Sequence, residues 1–194
     1  EEFRRIRAAL SYSSVTESVQ KLLVTSVSPG EGKSMFASNL GLTLAGLQHK
    51  VLIIDADLRR PRVAEYFGLE GAVGLTTVLV GDVSFESAKM SRPGVSLDIL
   101  PSGSIPPNPS EILTSDAMKR LLKEASERYD FVIIDSPPVL SVADANLLAP
   151  FVDGLVQTAS SLESAGGRII GLVLNKVRRS RMESAYSYSR DTEA

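Results

Sequence analysis

Short apolar runs that alternate with helical stretches constrain the fold of this chain more than any other feature. Two of these runs are "VLIID" and "FVIID", and similar ones are "KLLVTSV", "SLDILPSG" and "RIIGLVLNKV". A strand that is apolar on both faces must be covered on both sides, as in a parallel sheet between two layers of helices. The alternation therefore predicts an α/β domain with a mostly parallel central sheet and helices on both faces. A length of 194 residues, 43% of them hydrophobic, suits a single domain over residues 1–194.

Charge and rare residue types exclude several kinds of function. A formal net charge of -2 and a pI of about 5.5 argue against nucleic acid as the partner. Cysteine is absent and His49 is the single histidine, so thiolate zinc sites, iron–sulfur clusters and histidine-based triads lack their usual groups. No apolar run is long enough to span a membrane. We expect a soluble cytoplasmic domain cut from a longer chain, with any membrane span outside it.

The turn "PGEGKS" follows the first apolar run and precedes an amphipathic stretch that starts at Lys33 or Ser34. In a P-loop, backbone N–H groups curl round phosphate oxygens, Lys neutralises them and Ser or Thr binds magnesium. Val27 stands where the strict pattern G-x-x-x-x-G-K-[ST] has its first glycine, but the required strand–turn–helix context is present. The alternative is a glycine-rich surface turn. The turn predicts binding of ATP or ADP by Pro29, Gly30, Glu31, Gly32, Lys33, Ser34 and Met35.

Acidic residues end two of the predicted strands. Asp55 and Asp57 follow one apolar run, and Asp135 closes another. The carboxyl ends of parallel strands meet at the crevice where α/β sheets bind ligands, although a single Asp there is often only a helix cap or a loop acceptor. Together with the turn, these residues predict a Mg²⁺ site in which Ser34 binds the ion directly, Asp135 takes the Walker B role and Asp57 lies nearby.

Three motifs resemble those of the bacterial tyrosine kinases (BY-kinases) of exopolysaccharide and capsule synthesis. "SPGEGKS" is similar to their Walker A motif, "LIIDADLRRP" to their Walker A′ motif and "VIIDSPP" to their Walker B motif. The resemblance covers nearly the whole chain. It also includes "EEFRRIR", which resembles the family's E-x-x-R-x-x-R element through Glu1, Arg4 and Arg7. The resemblance implies that residues 1–20 form a helix that joins subunits in a ring, whereas the spacing alone indicates only a charged helix face.

The resemblance implies an autophosphorylating protein-tyrosine kinase that uses ATP and Mg²⁺ and regulates exopolysaccharide or capsule synthesis and export. A tyrosine hydroxyl has a pKa of about 10, so phosphoryl transfer needs a carboxylate to take its proton and cations to absorb charge. Asp55 is the candidate base, with orientation of magnesium-bound water as the alternative. Lys33 and Mg²⁺ would stabilise the γ-phosphoryl group. Arg59 would contact phosphate or brace the carboxylates.

The C-terminal part of the chain contains the candidate acceptors. Tyr186 and Tyr188 lie in a polar, serine-rich tail, residues 182–194, which we expect to be flexible. The resemblance implies that a neighbouring subunit phosphorylates these two tyrosines. Asn175 closes the last apolar run, where it would hydrogen-bond the adenine of the nucleotide or form a plain strand-end turn.

The resemblance also implies partners and a location. These are other copies of the chain in a ring-like homo-oligomer, a transmembrane activator or polysaccharide co-polymerase, fused or separate, and a cognate tyrosine phosphatase, all at the inner face of the plasma membrane. Two other functions stay open. One is a deviant-Walker ATPase switch of the kind that partitions DNA or places the division site, which would carry lysine where this chain has Ser28. The other is a catalytically idle nucleotide-binding scaffold.

One segment departs from the family pattern. After "VDG", family members have a buried strand and a basic loop before the next helix, but here helical sequence follows Gly154 almost at once. Too few residues remain for a strand of about five or six residues with its loop. We therefore expect a chain break near Gly154 and Leu155, with Cα atoms much farther apart than about 3.8 Å. An intact link would leave the sheet one strand short.

Overall fold

The computed structural model describes residues 19–139, 141–156 and 169–171, which form an α/β fold around one sheet. The strands are β1 (Lys21–Val24), β2 (Val51–Asp55), β3 (Met90–Ser91), β4 (Leu97–Leu100), β5 (Phe131–Asp135), β6 (Gly154–Val156) and β7 (Ile169–Gly171). Their order across the sheet is β3-β4-β2-β5-β1-β6-β7. Neighbouring strands are parallel except at one edge, where β3 is antiparallel to β4. The predicted fold class is confirmed.

Helices connect the parallel strands. They are α1 (Lys33–Ala45), α2 (Val63–Phe67), α3 (Leu75–Leu79), α4 (Phe85–Ala88), α5 (Pro109–Thr114), α6 (Asp116–Arg128) and α7 (Asp144–Leu148), and a 3₁₀ turn (Ala149–Phe151) follows α7. Helix α6 begins after Ser115, whose Oγ accepts the N–H of Met118 at 3.2 Å and so caps the helix. None of the helices in the described ranges is both long enough and apolar enough to cross a membrane.

The core lies in two apolar layers, one on each face of the sheet. In β2, Leu52 and Ile54 join the layer that α6 covers, while Val51 and Ile53 join the layer that α1 covers. All four side chains are fully buried, and each Leu or Ile contributes about 1.5–3 kcal/mol relative to an exposed position. Helix α1 approaches the sheet closely at Gly41, where a Cβ atom would lie 2.5 Å from Cδ1 of Ile53.

The structure corrects the prediction for the segment after "VDG". Gly154 and Leu155 are consecutive residues of β6 and pair in consecutive register with Leu22 and Leu23 of β1. The predicted chain break is therefore wrong, and so is the expectation of a missing strand. The strand is present but has only three residues.

Some of the residues singled out from the sequence lie outside the described ranges. They are Glu1, Arg4 and Arg7 of the N-terminal segment, Asn175, and Tyr186 and Tyr188 of the tail over 182–194. Their proposed roles remain predictions.

Candidate active site

The "PGEGKS" turn connects β1 to α1 and is curled by two glycines. Gly30 and Gly32 have φ angles of 80° and 87°, a left-handed conformation that glycine adopts at little cost. The Glu31 carboxylate accepts backbone N–H groups from Val27 at 3.1 Å and from Ser28 at 3.2 Å. The side chain of Glu31 thus folds back over the start of the turn. Helix α1 begins at Lys33, as predicted.

Lys33 reaches from the start of α1 to the acidic strand ends. Its Nζ lies 2.7 Å from Oδ2 of Asp57, 3.7 Å from Oδ1 of Asp135 and 3.3 Å from the Ser34 Oγ. Burial lowers the pKa of Lys33, but the negative charges of Asp135 and Asp57 outweigh burial and leave the pKa raised. The ammonium group is therefore charged at neutral pH. The structure brings four of the predicted site residues together.

Asp135 ends β5 as a fully buried carboxylate. Neither of its oxygens has a hydrogen-bond partner in the described part of the chain. Burial raises the pKa of Asp135 to about 7, against the opposing effect of the Lys33 ammonium. A buried acceptor without a donor is costly, so these oxygens suit a cation that would satisfy them.

Asp55 ends β2 and holds the chain that follows it. Its Oδ1 accepts the N–H of Asp57 at 3.2 Å, and its Oδ2 accepts those of Arg62 at 3.1 Å and Val63 at 2.9 Å. The side chain is fully buried. Burial raises the pKa of Asp55 to about 6, although the hydrogen bond from Val63 lowers it.

Asp57 lies two residues beyond the end of β2 and faces the lysine. Its second oxygen, Oδ1, accepts N–H groups from Arg59 at 3.3 Å and Arg60 at 3.0 Å. The carboxylate therefore joins Lys33 of the phosphate turn to the backbone of the arginine-rich segment. Asp57 and Lys33 both face the cleft that opens beside the turn.

This cleft has a volume of about 790 Å³, which lies in the range of small-molecule sites. It is lined by Pro29, Gly30, Gly32, Lys33, Ser34, Met35, Asp57, Arg59, Arg60, Arg62, Tyr66, Pro137, Pro138, Ser141 and Val142. Of the seven residues predicted to bind nucleotide in the turn, all except Glu31 line it. Asp55 and Asp135 are fully buried and are not part of the lining.

Arg59 lines the same cleft but does not contact Asp55 or Asp57 through its guanidinium group. Its Nε donates to Oδ2 of Asp144 at 2.8 Å, and its Nη2 donates to Oδ1 of Asp144 and to Ser110 Oγ, both at 3.3 Å. Asp144 is the first residue of α7 and is fully buried. Of the two roles open to Arg59, contact with phosphate or bracing of the strand-end carboxylates, the structure does not show the second.

The donors near Ser34 fit a magnesium ion that also binds phosphate. Mg²⁺ usually takes one or two protein ligands and completes its shell with phosphate oxygens and water. Ser34 supplies a hydroxyl, and Asp135 supplies two oxygens that accept no hydrogen bond from any described residue. Among the described residues, no three acidic or histidine side chains form a metal-binding cluster by themselves. Such an ion would therefore depend on the nucleotide for its remaining ligands.

Sequence reasoning missed several residues in and beside the cleft. Asp144 binds Arg59 but does not itself line the cleft, and it gives no signal because an Asp in the first turn of a short helix is common at helix N-termini. Tyr66 lies on α2, where its exposed ring joins the cleft wall. Pro137 and Pro138 follow Asp135 directly, so their place beside the crevice could have been inferred from the carboxyl end of β5.

Comparisons by sequence place the chain among known proteins. Residues 20–159 match the family model described as "AAA domain". The chain is 42% identical over 202 positions to the tyrosine-protein kinase YwqD of Bacillus subtilis, which covers 97% of this chain and 85% of YwqD. Because 97% of 194 residues is about 188, about 14 of those 202 positions have no residue in this chain. The chain spans only 28% of the full tyrosine-protein kinase Etk of Escherichia coli, at 34% identity.

Comparisons by structure agree. The chimerical protein CapA2B2 has a TM-score of 0.86 at 35% identity, over 91% of this chain and 84% of that one. The kinase domain of Etk from Escherichia coli has a TM-score of 0.85 at 32% identity, over 91% of this chain and 75% of that one. The septum site-determining protein MinD of Pyrococcus horikoshii, in complex with Mg-ADP, has a TM-score of 0.70 at 24% identity, over 87% and 76% of the two chains. The likeness to MinD shows a shared fold alone.

Proposed function

The chain belongs to the bacterial tyrosine kinase family, and we propose that it is an autophosphorylating protein-tyrosine kinase that transfers the γ-phosphoryl group of ATP to Tyr186 and Tyr188. The observation that carries the proposal is the cluster of Lys33, Asp57 and Asp135 beside the phosphate turn. An ammonium held between carboxylates at a helix N-terminus suits a polyphosphate with a divalent cation.

The residues of the turn would bind and orient the nucleotide. Backbone N–H groups around Gly30 and Gly32 would surround phosphate oxygens, and the Lys33 ammonium would neutralise charge on the transferred group. Ser34 and Asp135 would hold Mg²⁺, with Asp57 close by. The ion, when bound, would offset negative charge on the phosphoryl oxygens. Asn175 would hydrogen-bond the adenine.

Asp55 is the residue that we propose as the general base. A pKa of about 6 lies near the working pH of a base that takes a proton from tyrosine. Asp57 has the more open position, but the oxygens of both carboxylates accept backbone N–H groups, so their hydrogen bonds do not decide between the two residues. The alternative role for Asp55 is to orient water on the cation. Comparison of Asp55→Asn with Asp57→Asn for kcat at saturating ATP tests which of the two carboxylates acts as the base.

The acceptor tyrosines are proposed to come from a neighbouring copy. The tail over residues 182–194 is polar, and residues 1–20 with Glu1, Arg4 and Arg7 would join subunits into a ring. Phosphorylation in trans would then require assembly. Dilution below the assembly concentration should lower the rate per subunit, which would not change for a reaction within one chain.

The proposed biological role is control of exopolysaccharide or capsule synthesis and export. The chain spans most of YwqD but about a quarter of Etk, so its relatives include both short proteins and much longer ones. We propose that a transmembrane activator, fused or separate, holds this domain at the inner face of the plasma membrane. A cognate tyrosine phosphatase would reverse the modification.

A MinD-like ATPase switch is the second candidate because MinD shares the fold, although Ser28 stands where that class carries lysine. Incubation with γ-labelled ATP tests the proposal. Label on tyrosine supports the kinase, free phosphate alone supports the ATPase switch, and neither product supports an idle scaffold. The result that would overturn the proposed function is the absence of phosphotyrosine in the assembled protein with ATP and Mg²⁺.

A further inference from the structure

Asp144 is the buried carboxylate that the proposed mechanism does not use. It is fully buried, whereas the Arg59 side chain that it binds is 40% exposed and lines the cleft. A buried carboxylate paired on one side with a partly exposed guanidinium fixes the position of that group. We propose that Asp144 is a positioning residue that holds Arg59 against the terminal phosphoryl group of the bound nucleotide. This inference rests on the proposed function.

The hydrogen bonds of Arg59 leave a defined part of the guanidinium for a ligand. A guanidinium has five N–H donors. Nε donates to Asp144, and Nη2 donates to Asp144 and to Ser110. The Nη1 group has no hydrogen-bond partner among the described residues. Because the side chain lines the same cleft as Lys33 and Ser34, Nη1 supplies the donors that remain for a phosphoryl oxygen.

Asp144 also connects segments that are distant in the chain. Ser110 of α5 donates its hydroxyl to Oδ1 of Asp144 at 2.5 Å, and Arg59 comes from the segment after β2. The backbone N–H of Arg59 is held in turn by Asp57, which contacts Lys33. The arginine is therefore fixed at both ends, by Asp57 at its backbone and by Asp144 at its guanidinium.

A cation fixed in this way differs from a solvated arginine at the rim of a cleft. A free arginine side chain loses rotamer freedom when it binds a ligand, and water screens its charge. Asp144 restricts that freedom before the ligand arrives. The expected effect is selective for the γ-phosphoryl group, because ADP carries no group at that position.

The test compares Asp144→Asn, Arg59→Ala and the double variant with the parent. Asp144→Asn keeps the size of the side chain and removes its charge. We expect kcat for tyrosine phosphorylation to fall by about 10- to 100-fold, by analogy with residues that orient the ligands of metal ions. We expect the double variant to be no slower than Arg59→Ala. Effects that multiply in the double variant would overturn the inference, since Asp144 would then act independently of Arg59.

Asp98→Asn is the matched control. Asp98 accepts hydrogen bonds from Lys89 at 2.8 Å and from Tyr129 at 2.6 Å, in a second ion-pair cluster away from the cleft. We expect Asp98→Asn to leave kcat unchanged, and thermal melting of each variant reports any loss of the fold. If kcat falls in both Asp144→Asn and Asp98→Asn, and in each by an amount that matches the drop in melting temperature, loss of stability explains the effect and the positioning role is contradicted. Ser110→Ala, a milder change, should lower kcat in the same direction as Asp144→Asn.

Measurements of nucleotide affinity test the role of Asp144 without relying on kinase activity. The ratio of the dissociation constants of a non-hydrolysable ATP analogue and ADP, each with Mg²⁺, is measured for the parent and for Asp144→Asn. We expect the variant to lose affinity for the ATP analogue and to keep its affinity for ADP. An unchanged ratio overturns the inference even if the parent forms no phosphotyrosine, and a changed ratio in an inactive parent supports it while the kinase assignment fails.

Discussion

Asp55 and Asp135 are paired residues at the ends of the adjacent parallel strands β2 and β5. This register places two fully buried carboxylates side by side at the carboxyl edge of the sheet, one of them fixed by backbone N–H groups and the other without a hydrogen-bond partner in the part of the chain that the structure describes. Burial raises the pKa of both; the charge of Asp55 raises the pKa of Asp135 further, and the charge of Asp57 does the same for Asp55. Asp55 and Asp135 therefore occupy equivalent strand ends but differ in their hydrogen bonding.

Asp135→Asn should stabilise the nucleotide-free protein at pH 8 by about 1–3 kcal/mol. The folded pKa of Asp135 is about 7, above the ordinary value of 3.8, so the folded state binds a proton more tightly than the unfolded state does. Its contribution to stability therefore falls as the pH rises through that range. Denaturant unfolding at pH 5 and pH 8 measures the difference in the free energy of unfolding between variant and parent, and this difference should be smaller at pH 5. A destabilised variant at pH 8 would contradict the assignment.

Ser34→Ala should weaken nucleotide binding only when magnesium is present. The hydroxyl would bind the ion directly, so we expect affinity for Mg-ADP to fall by about tenfold or more. Affinity for ADP in excess chelator should not change. Ser38→Ala is the matched control, because Ser38 is also buried on α1 and its hydroxyl has no hydrogen-bond partner in the described ranges. Equal losses with and without magnesium would argue against a metal ligand at Ser34.

Lys33→Met should abolish detectable transfer, with a loss of about 100-fold or more. The substitution removes the ammonium that contacts Asp57 and Asp135 while it retains the length of the side chain. Lys119→Met is the control, since Lys119 forms an exposed ion pair with Asp116. Phosphotyrosine is measured by mass spectrometry after incubation with ATP. Phosphate on the Lys33→Met protein at the parent's level would refute the role.

Replacement of both tail tyrosines, Tyr186→Phe with Tyr188→Phe, should remove most of the label from γ-labelled ATP. We expect this loss because no other tyrosine of the chain lies in so polar a segment. Tyr66→Phe serves as the control because Tyr66 is exposed beside the cleft. Label that persists in the double variant and disappears with Tyr66→Phe would move the acceptor to α2.

Gly74→Ala should destabilise the fold by about 1–3 kcal/mol through overpacking. A Cβ atom at Gly74 would lie 2.1 Å from the carbonyl oxygen of Pro101 and 2.6 Å from the nitrogen of Gly103, so the backbone would have to move. Val73→Ala, at an exposed neighbouring position, should change stability by less than about 0.5 kcal/mol. Chemical denaturation of both variants provides the measurement.

The centre of the fold was predictable because its sequence signals are local. The doubly apolar strands β2 and β5 and the start of α1 at Lys33 follow from hydrophobic pattern and turn chemistry. The approach of Lys33 to Asp57 and Asp135 follows from the rule that parallel strands end at one edge. The register between Asp55 and Asp135 depends on the packing of both layers, which no local pattern contains.

The parts that sequence did not predict depend on distant contacts or on short elements. Arg59 and Asp144 are 85 positions apart, and nothing near either residue indicates the other. Strand β6 has only three residues, fewer than periodicity can identify, yet pairing with β1 is enough to define it. The predicted chain break near Gly154 was wrong, because the chain is continuous there and forms a strand of three residues.

The carboxylate of Glu31, which accepts two N–H groups from the beginning of its own turn, has a consequence for binding. Those contacts fix the backbone between β1 and α1 during folding, so less conformational entropy remains to be lost when a triphosphate arrives. Because the turn is ordered before binding, less of the favourable electrostatic free energy of binding is offset by the cost of ordering the turn. Glu31→Ala should therefore slow association and leave the chemistry of the bound complex intact.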